Sequence, residues 1–531
     1  MAVRKLLVAA AAALVLAGCA ADPTQSRGGV ADTLTMYLYQ KPKVFSPLAP
    51  ANGPDQLVLS FVLESLYGTD AQYRQRPILA AAPPVVSADA KSFTITLKPG
   101  LSWSDGRPFT SKDVAFSFTA LANPATGSAF TGRFADVAGA AELKSGAAST
   151  LAGIGTPDDT TVTIRTSRPA AGLLALVGYL PLLPQHVLGQ VPPSKLGADP
   201  FFTKPSVGTG AFRFVGYQTD QYVELAANPR YRRPVPVRKV ILKPVSSDVA
   251  TGQLGTGEMD LAQISPTDLP SVRKLPGIAI VKAPSPGFTR IAVNQRQARF
   301  QNPLVRKAFL HAIDRKSLVD TVLGGAGSVV NSSFSGDAAP SEPDGYAYDP
   351  GEAKRLLAEA GWDPAQPVRL SWVPGQRDRD TTATIVQSQL RAVGVATELK
   401  QVQAGELTQS YADASFDLAL FGGGNYATDP SSVGAIDACA QAYPAGGNVG
   451  RFCDPAFDEL MARANATADP AARTALYRQA AALENARAPY VWLYNPDTIW
   501  AHATRLHGFT PNGAINNEVG AWQFADWKLG Q

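Results

Sequence analysis

Residues 100–118, GLSWSDGRPFTSKDVAFSF, predict the end of a strand, a tight turn and a helix in direct succession. The Ser-Asp-Gly at the centre predicts a turn, because Asp accepts hydrogen bonds from nearby backbone amides and Gly tolerates unusual dihedral angles. Thr110 or Ser111 is the expected helix cap, with Asp113 in the first turn. We expect Trp103 to pack beneath the turn.

Strand patterns dominate the sequence on either side of this stretch. Residues 93–97 (FTITL) and 161–165 (TVTIR) alternate apolar and polar side chains, which predicts half-buried strands. Residues 212–215 and 222–225 predict a hairpin. The first half of the chain therefore leans toward β-structure.

Helices are clearest in the second half. Asp349-Pro350 and Asp469-Pro470 each combine a capping side chain with a proline suited to the first helical position. Apolar residues between 385 and 393 predict another helix, which Gly394 ends before a strand at 395–399. Alternation of helix, glycine and strand predicts α/β layering with parallel strand pairs.

Length and composition limit the class of protein. A chain of 531 residues is too long to fold around a single hydrophobic core, so two or three domains are expected. The composition is globular, and the net charge of +4 suggests no nucleic-acid partner. No segment after residue 31 reaches 18 consecutive apolar residues, so we expect a soluble body.

The N-terminus predicts export. Two basic residues precede an apolar run at 6–17, which is too short to span a bilayer but suits a signal peptide. The sequence Leu-Ala-Gly-Cys ending at Cys19 resembles a bacterial lipobox. We therefore expect a lipoprotein signal peptide at 1–18, a lipid anchor on Cys19 and a flexible tether at 19–31. An ordinary secretory signal with an incidental cysteine is the alternative.

Two cysteines remain, Cys439 and Cys453. An even remainder in an exported chain predicts a disulfide. A metal-binding pair is the alternative, although no histidine lies near them in the sequence.

The sequence carries no recognisable catalytic motif. A phosphate-binding loop ending in Gly-Lys-Ser/Thr, a Gly-x-Ser-x-Gly nucleophile motif and a His-Glu-x-x-His zinc motif are all missing. We predict that the protein is not an enzyme and holds no metal or cofactor of its own.

The opening stretch resembles the signature of the family 5 extracellular solute-binding proteins, the peptide and nickel receptors of ABC importers. Matches continue in order along the chain. They lie at 64–67, 181–187, 207–212, 228–231, 257–260, 305–315 and 348–362. The lipobox adds a likeness to tethered receptors of Gram-positive and mycobacterial type.

This resemblance implies a two-lobed α/β fold of the periplasmic-binding-protein type (class II), with a β-rich subdomain inserted in lobe I. Chain crossovers are expected near 287–294 and 494–502. The expected bounds are 32–72, 205–286 and 503–531 for lobe I, 73–204 for the inserted subdomain and 287–502 for lobe II.

The resemblance also implies a function. We expect a monomeric, lipid-anchored receptor on the outer face of the cell membrane. It would capture short peptides between its lobes and deliver them to an importer of two permease and two ATPase subunits. A non-peptide ligand such as haem or a metal chelate is the alternative, and a secreted hydrolase is a weaker one.

Residues 421–430, FGGGNYATDP, are expected to lie in the ligand cleft. Gly422, Gly423 and Gly424 would offer backbone to a peptide, because no Cβ blocks the approach. Peptide receptors of this family present an Asp to the ligand ammonium here, whereas this chain has Asn425 and Tyr426. Asp429 could take that role, but a turn and helix start is the stronger interpretation.

Other ligand contacts are expected from two further loops. Residues 372–377 resemble the segment that carries a carboxylate-binding arginine in dipeptide receptors. Arg377 is the candidate and Arg379 the reserve, while a solvated loop arginine is an equally good interpretation. Phe45 and Asn52 are expected to line the lobe I side.

Overall fold

The computed structural model describes residues 32–49, 53–71, 73–285, 287–375, 377–424, 429–511 and 523–530. The predicted signal peptide and tether, with Cys19, lie outside these residues. So do Asn52, Asn425 and Tyr426. Among the described helices, none is long and apolar enough to cross a membrane.

Strands occur along the whole described chain. They are β1 (Thr33–Leu38), β2 (Tyr67–Thr69), β3 (Gln75–Pro77), β4 (Val85–Val86), β5 (Ser92–Thr96), β6 (Ile154–Asp158), β7 (Thr161–Arg165), β8 (Phe212–Gln218), β9 (Tyr222–Ala227), β10 (Lys239–Pro244), β11 (Leu261–Ile264), β12 (Ile278–Pro284), β13 (Gly287–Val293), β14 (Gly327–Val329), β15 (Val368–Trp372), β16 (Thr397–Gln401), β17 (Leu418–Gly424), β18 (Tyr490–Ala503), β19 (Leu506–His507) and β20 (Lys528–Leu529).

The longer helices lie mostly after residue 300. In chain order the helices are α1 (Gly53–Val62), α2 (Ser111–Ala122), α3 (Ala140–Ser145), α4 (Leu173–Val177), α5 (Gln185–Leu188), α6 (Pro193–Leu196), α7 (Ser247–Thr256), α8 (Leu269–Val272), α9 (Ala298–Gln301), α10 (Pro303–Ala312), α11 (Arg315–Val322), α12 (Pro350–Glu359), α13 (Arg377–Ala392), α14 (Ala404–Asp413), α15 (Gly434–Asp437), α16 (Pro455–Asn465) and α17 (Pro470–Arg487).

The opening stretch folds as predicted. Thr110 caps α2, and its backbone amide donates to Oδ2 of Asp113 at 2.8 Å. Gly106 takes a φ of +94°, which the turn requires and which side chains rarely adopt. Trp103 is fully buried. The turn and the cap together fix where α2 leaves the strand before it.

The large sheet joins both halves of the molecule through β18. The first part of β18 pairs with β13, and its last part pairs with β11 and β12. The strand order is β16-β15-β17-β13-β18-β11-β1-β10-β9-β8. The chain therefore passes between the halves along β12–β13 and again along β18.

Each half of the large sheet has its own core. One cluster gathers apolar side chains from β1, α1, α2 and β8–β10, and the other gathers them from β13, α10, α13 and β17. The sheet β4-β5-β7-β6, within the expected inserted subdomain, shares the first core. We call these halves lobe I and lobe II, and the exact domain bounds stay predictions.

The expected α/β layering is confirmed in lobe II. Strands β15 and β16 pair in parallel, and so do β15 and β17. Cys439 and Cys453 form the predicted disulfide, with Cα atoms 4.5 Å apart.

Candidate functional site

The glycine end of β17 is paired on one edge. Strand β13 runs along all of β17, whereas β15 meets it only at Leu418 and Ala419. Within the described chain, no strand covers the second edge of residues 422–424. Unpaired backbone groups at a strand edge form a template for another extended chain. The three glycines leave that template without side chains.

A guanidinium group lies against this bare backbone. A Cβ atom added to Gly422 would stand 2.6 Å from Nη2 of Arg379. Nε of Arg379 is buried and has no hydrogen-bond acceptor among the described residues. A buried donor without an acceptor costs free energy. This arginine is therefore suited to bind an anionic group from outside the chain, to which it would donate hydrogen bonds.

The loop before α13 holds Arg379 in place. Asp380 accepts hydrogen bonds from the Trp372 indole at 2.7 Å and from the backbone amide of Gly375 at 3.2 Å. One carboxylate thus ties the end of β15 to the first turn of α13. Arg377 and Arg379 both project from that turn.

A groove of about 750 Å³ lies between the lobes beside this turn. Strand β1 runs parallel to β10 on one side and β11 on the other, so the chain order reverses there. Ligands of α/β proteins bind at the carboxyl ends of strands at such a reversal. We name it the interlobe groove. Its lining includes Tyr37, Tyr39, 263–267, 321–323, Arg377, Asp378, Thr381 and 496–499.

The interlobe groove carries charges of both signs. Arg377, Asp378 and Asp497 line it, and none of the three makes a side-chain hydrogen bond or ion pair with another described residue. Burial raises the pKa of the Asp497 carboxyl, although Lys282 opposes that shift. Unpaired charges of both signs suit a ligand that is itself a zwitterion.

Asp429 is occupied within the protein. Its carboxylate binds the Arg473 guanidinium in a bidentate pair with N–O distances of 2.8 and 2.6 Å. It also caps the short 3-10 helix Pro430–Val433 by accepting from the Ser431 amide. The turn interpretation is therefore confirmed, and the carboxylate that we considered for a ligand ammonium is already neutralised.

We expect Asp429→Asn to lower the free energy of unfolding by about 2–4 kcal/mol, because it leaves the largely buried Arg473 without its counter-charge. Chemical denaturation measures this loss. Asp89→Asn, at an exposed turn carboxylate, is the matched control and should change it by less than about 0.5 kcal/mol. If Asp429→Asn weakens ligand binding without loss of stability, Asp429 binds ligand after all.

Phe45 requires a correction. Its side chain is 2% exposed and packs against Phe214 in a tilted arrangement with ring centroids 5.0 Å apart, so it anchors its loop to lobe I and does not line the groove. The resemblance predicts a crossover near 494–502 but does not single out Asp497, because its position in the groove depends on residues from both lobes that are distant in the sequence.

Among the described residues, no group of three or more His, Cys, Asp or Glu side chains could hold a metal ion.

Comparison with known proteins identifies the family. The profile of the bacterial extracellular solute-binding proteins, family 5 Middle, matches residues 74–441. A Brucella ovis protein named as an ABC transporter peptide-binding protein is 30% identical over 476 residues, covering 88% of this chain and 87% of its own length.

Solved structures share the fold. The Bacillus subtilis oligopeptide-binding protein AppA, solved with a nonapeptide, has a TM-score of 0.74 at 22% identity, covering 94% of this chain and 99% of that one. Campylobacter jejuni NikZ, solved with Ni(L-His), has a TM-score of 0.76 at 23% identity and the same coverage. The two-lobed fold is thus established.

Family membership also excludes the secreted hydrolase that we considered from the sequence. The chain belongs to the family 5 bacterial extracellular solute-binding proteins and is an extracytoplasmic receptor of the ABC-importer type, not an enzyme.

Proposed function

We propose that this receptor captures short peptides in an extended conformation and delivers them to an importer of two permease and two ATPase subunits. The observation that supports a peptide is the open edge of β17 at residues 422–424. A peptide added to this edge would gain backbone hydrogen bonds whatever its sequence. Affinity would then come from the main chain, which suits a receptor for nutrients of mixed composition.

The two charged ends of the peptide have candidate partners. Arg379 would bind the carboxylate, because its guanidinium lies at the glycine edge and has a buried donor without an acceptor. Asp378 and Asp497 would attract the ammonium from the interlobe groove. Asn425, which stands where peptide receptors are expected to carry an acid, could accept a hydrogen bond without adding charge.

Attachment to the membrane belongs to the same proposal. The lipobox at Cys19 would supply two acyl chains, which suffice for stable anchoring. Residues 19–31 would then act as a flexible tether that lets the receptor reach the permeases from the outer face of the membrane.

Thermal denaturation with peptides of defined length tests the proposal. A peptide present at 100 times its Kd should stabilise the purified receptor by about 2.7 kcal/mol. Mass spectrometry of co-purified ligand is the companion measurement. If no peptide of two to nine residues shifts the melting temperature, and none co-purifies, a peptide receptor is ruled out.

A metal chelate is the second candidate. NikZ, which shares the fold, was solved with Ni(L-His), and a neutral Asn425 weakens the argument for ammonium binding. Such a ligand would bring its own coordinating groups. Thermal denaturation is repeated with nickel and histidine together and, separately, with haem. If peptides are the ligand, neither addition should change the melting temperature.

A further inference from the structure

A second cavity, of about 190 Å³, lies in lobe I apart from the interlobe groove. It forms where α1, the β2–β3 hairpin and the C-terminal residues 523–525 meet. Four cationic side chains line it: Arg76, Lys98, Arg232 and Arg233. The peptide proposal uses none of them.

The acids at this cavity are already engaged. Glu64 accepts both Nη atoms of Arg232, at 2.7 and 2.9 Å, and the Tyr231 hydroxyl at 3.0 Å. Asp526 pairs with Arg233. Four cations therefore meet two carboxylates, which leaves two positive charges in excess among the lining residues and their direct partners.

The excess charge centres on Lys98 and Arg76. The ammonium group of Lys98 donates to the carbonyl oxygens of Ile78 at 2.6 Å and Pro77 at 3.4 Å, and it forms no ion pair with a carboxylate of the described residues. Burial, Arg232, Arg76 and Arg233 lower its pKa, while Glu64 opposes that shift. Arg76 lies against the side-chain amide of Gln523, a neutral partner. An ammonium group has three donors, so a third remains for a ligand.

We propose that this cavity binds a small oxyanion carrying two negative charges, of the class of inorganic phosphate. Such an ion would neutralise the excess charge. It would accept hydrogen bonds from Lys98 and Arg76, which are stronger than neutral ones because both partners are charged. The cavity volume admits a phosphate with a few waters or a small phosphomonoester. Because the cavity is separate from the groove, the inference does not depend on the peptide ligand.

Isothermal titration of the purified full chain with inorganic phosphate tests this site. The buffer is kept at constant ionic strength with chloride, so that general screening is the same at every point. We expect saturable binding to one site. Lys98→Met keeps the aliphatic stem and Arg76→Gln keeps the polarity, and each should weaken phosphate binding roughly tenfold or more.

Lys144→Met, at an exposed lysine of α3, is the matched control and should bind phosphate as the unmodified chain does. Glycerol 3-phosphate in a second arm separates a site for free phosphate from one that also accepts a phosphomonoester, and binding of either supports the oxyanion site. No saturable binding to the unmodified chain overturns the proposal. An unchanged phosphate Kd in Arg76→Gln also overturns the proposal. Because the Arg76 side chain is exposed, this variant is expected to fold, and it decides the question if Lys98→Met does not fold.

Discussion

Arg290→Met is expected to lower the free energy of unfolding by about 3–5 kcal/mol, because it removes one partner of a buried charge network. Arg290 lies on β13 opposite Phe421 of β17 and is 1% exposed. Its guanidinium carbon sits 3.6 Å from the ring centroid of Tyr490 and 4.3 Å from that of Phe288. The rings of Tyr490 and Phe288 therefore both contact the buried cation.

The counter-charge reaches Arg290 through a serine. Nη1 of Arg290 donates to the Ser333 hydroxyl at 3.2 Å, which in turn donates to Oδ2 of Asp437 at 2.7 Å. Glu484 lies next to Asp437 and accepts from the Ser332 hydroxyl at 2.5 Å. Two acids and one arginine thus occupy a fully buried site in lobe II.

Protonation of Glu484 makes this site neutral. Burial and the neighbouring Asp437 raise the pKa of Glu484 well above its usual range. A protonated Glu484 can donate to Oδ1 of Asp437, which otherwise has no donor among the described residues. Arg290 and Asp437 then balance each other, and replacing Arg290 leaves Asp437 as an unpaired buried charge.

Chemical denaturation of Arg290→Met, Asp437→Asn and the double variant measures the coupling. The double variant should be more stable than the sum of the two single losses predicts, because it no longer buries an unpaired charge. Arg213→Met, at an exposed position on β8, is the matched control and should stay within about 0.5 kcal/mol. A loss below about 1 kcal/mol for Arg290→Met would show that the network does not stabilise the fold.

Local features of the fold could be predicted from the sequence because their signals lie within a few residues. The cap at Thr110 and the helix starts at Asp349 and Asp469 each appear where a capping side chain precedes the helix. The hairpin of β8 and β9 is equally local. Such patterns act through the backbone of the same turn and need no distant partner.

Features of the site that depend on distant partners could not be predicted. The sequence favoured a turn and helix start at Asp429, but it gave no sign of the ion pair with Arg473, 44 residues later. Nothing in the local sequence distinguishes Arg290 from other strand arginines. Its environment is formed by Tyr490 and Asp437, which are distant in the sequence. Arg377 and Arg379 are two residues apart, and only the fold turns Arg379 toward Gly422 and leaves Arg377 in the groove.

Arg379→Met is expected to abolish discrimination between peptides with a free C-terminal carboxylate and the same peptides with a C-terminal amide. If Arg379 binds the carboxylate, the unmodified receptor should prefer the free acid roughly tenfold to hundredfold, the range of a charge-assisted hydrogen bond. The variant should lose affinity for the free acid and bind the amide almost as before. Calorimetric titration of the free-acid and amide peptides into the unmodified receptor and into Arg379→Met measures the four affinities that this comparison needs.

Arg377→Met is the matched control, because it removes the same charge two residues earlier in the same helical turn. It should keep the preference for the free acid. If the preference persists in Arg379→Met and disappears in Arg377→Met, the groove arginine binds the carboxylate, and the unpartnered Nε of Arg379 has another role. If the unmodified receptor binds neither peptide, the peptide proposal itself fails. The assignment of Arg379 and the identity of the ligand are thus tested by separate outcomes.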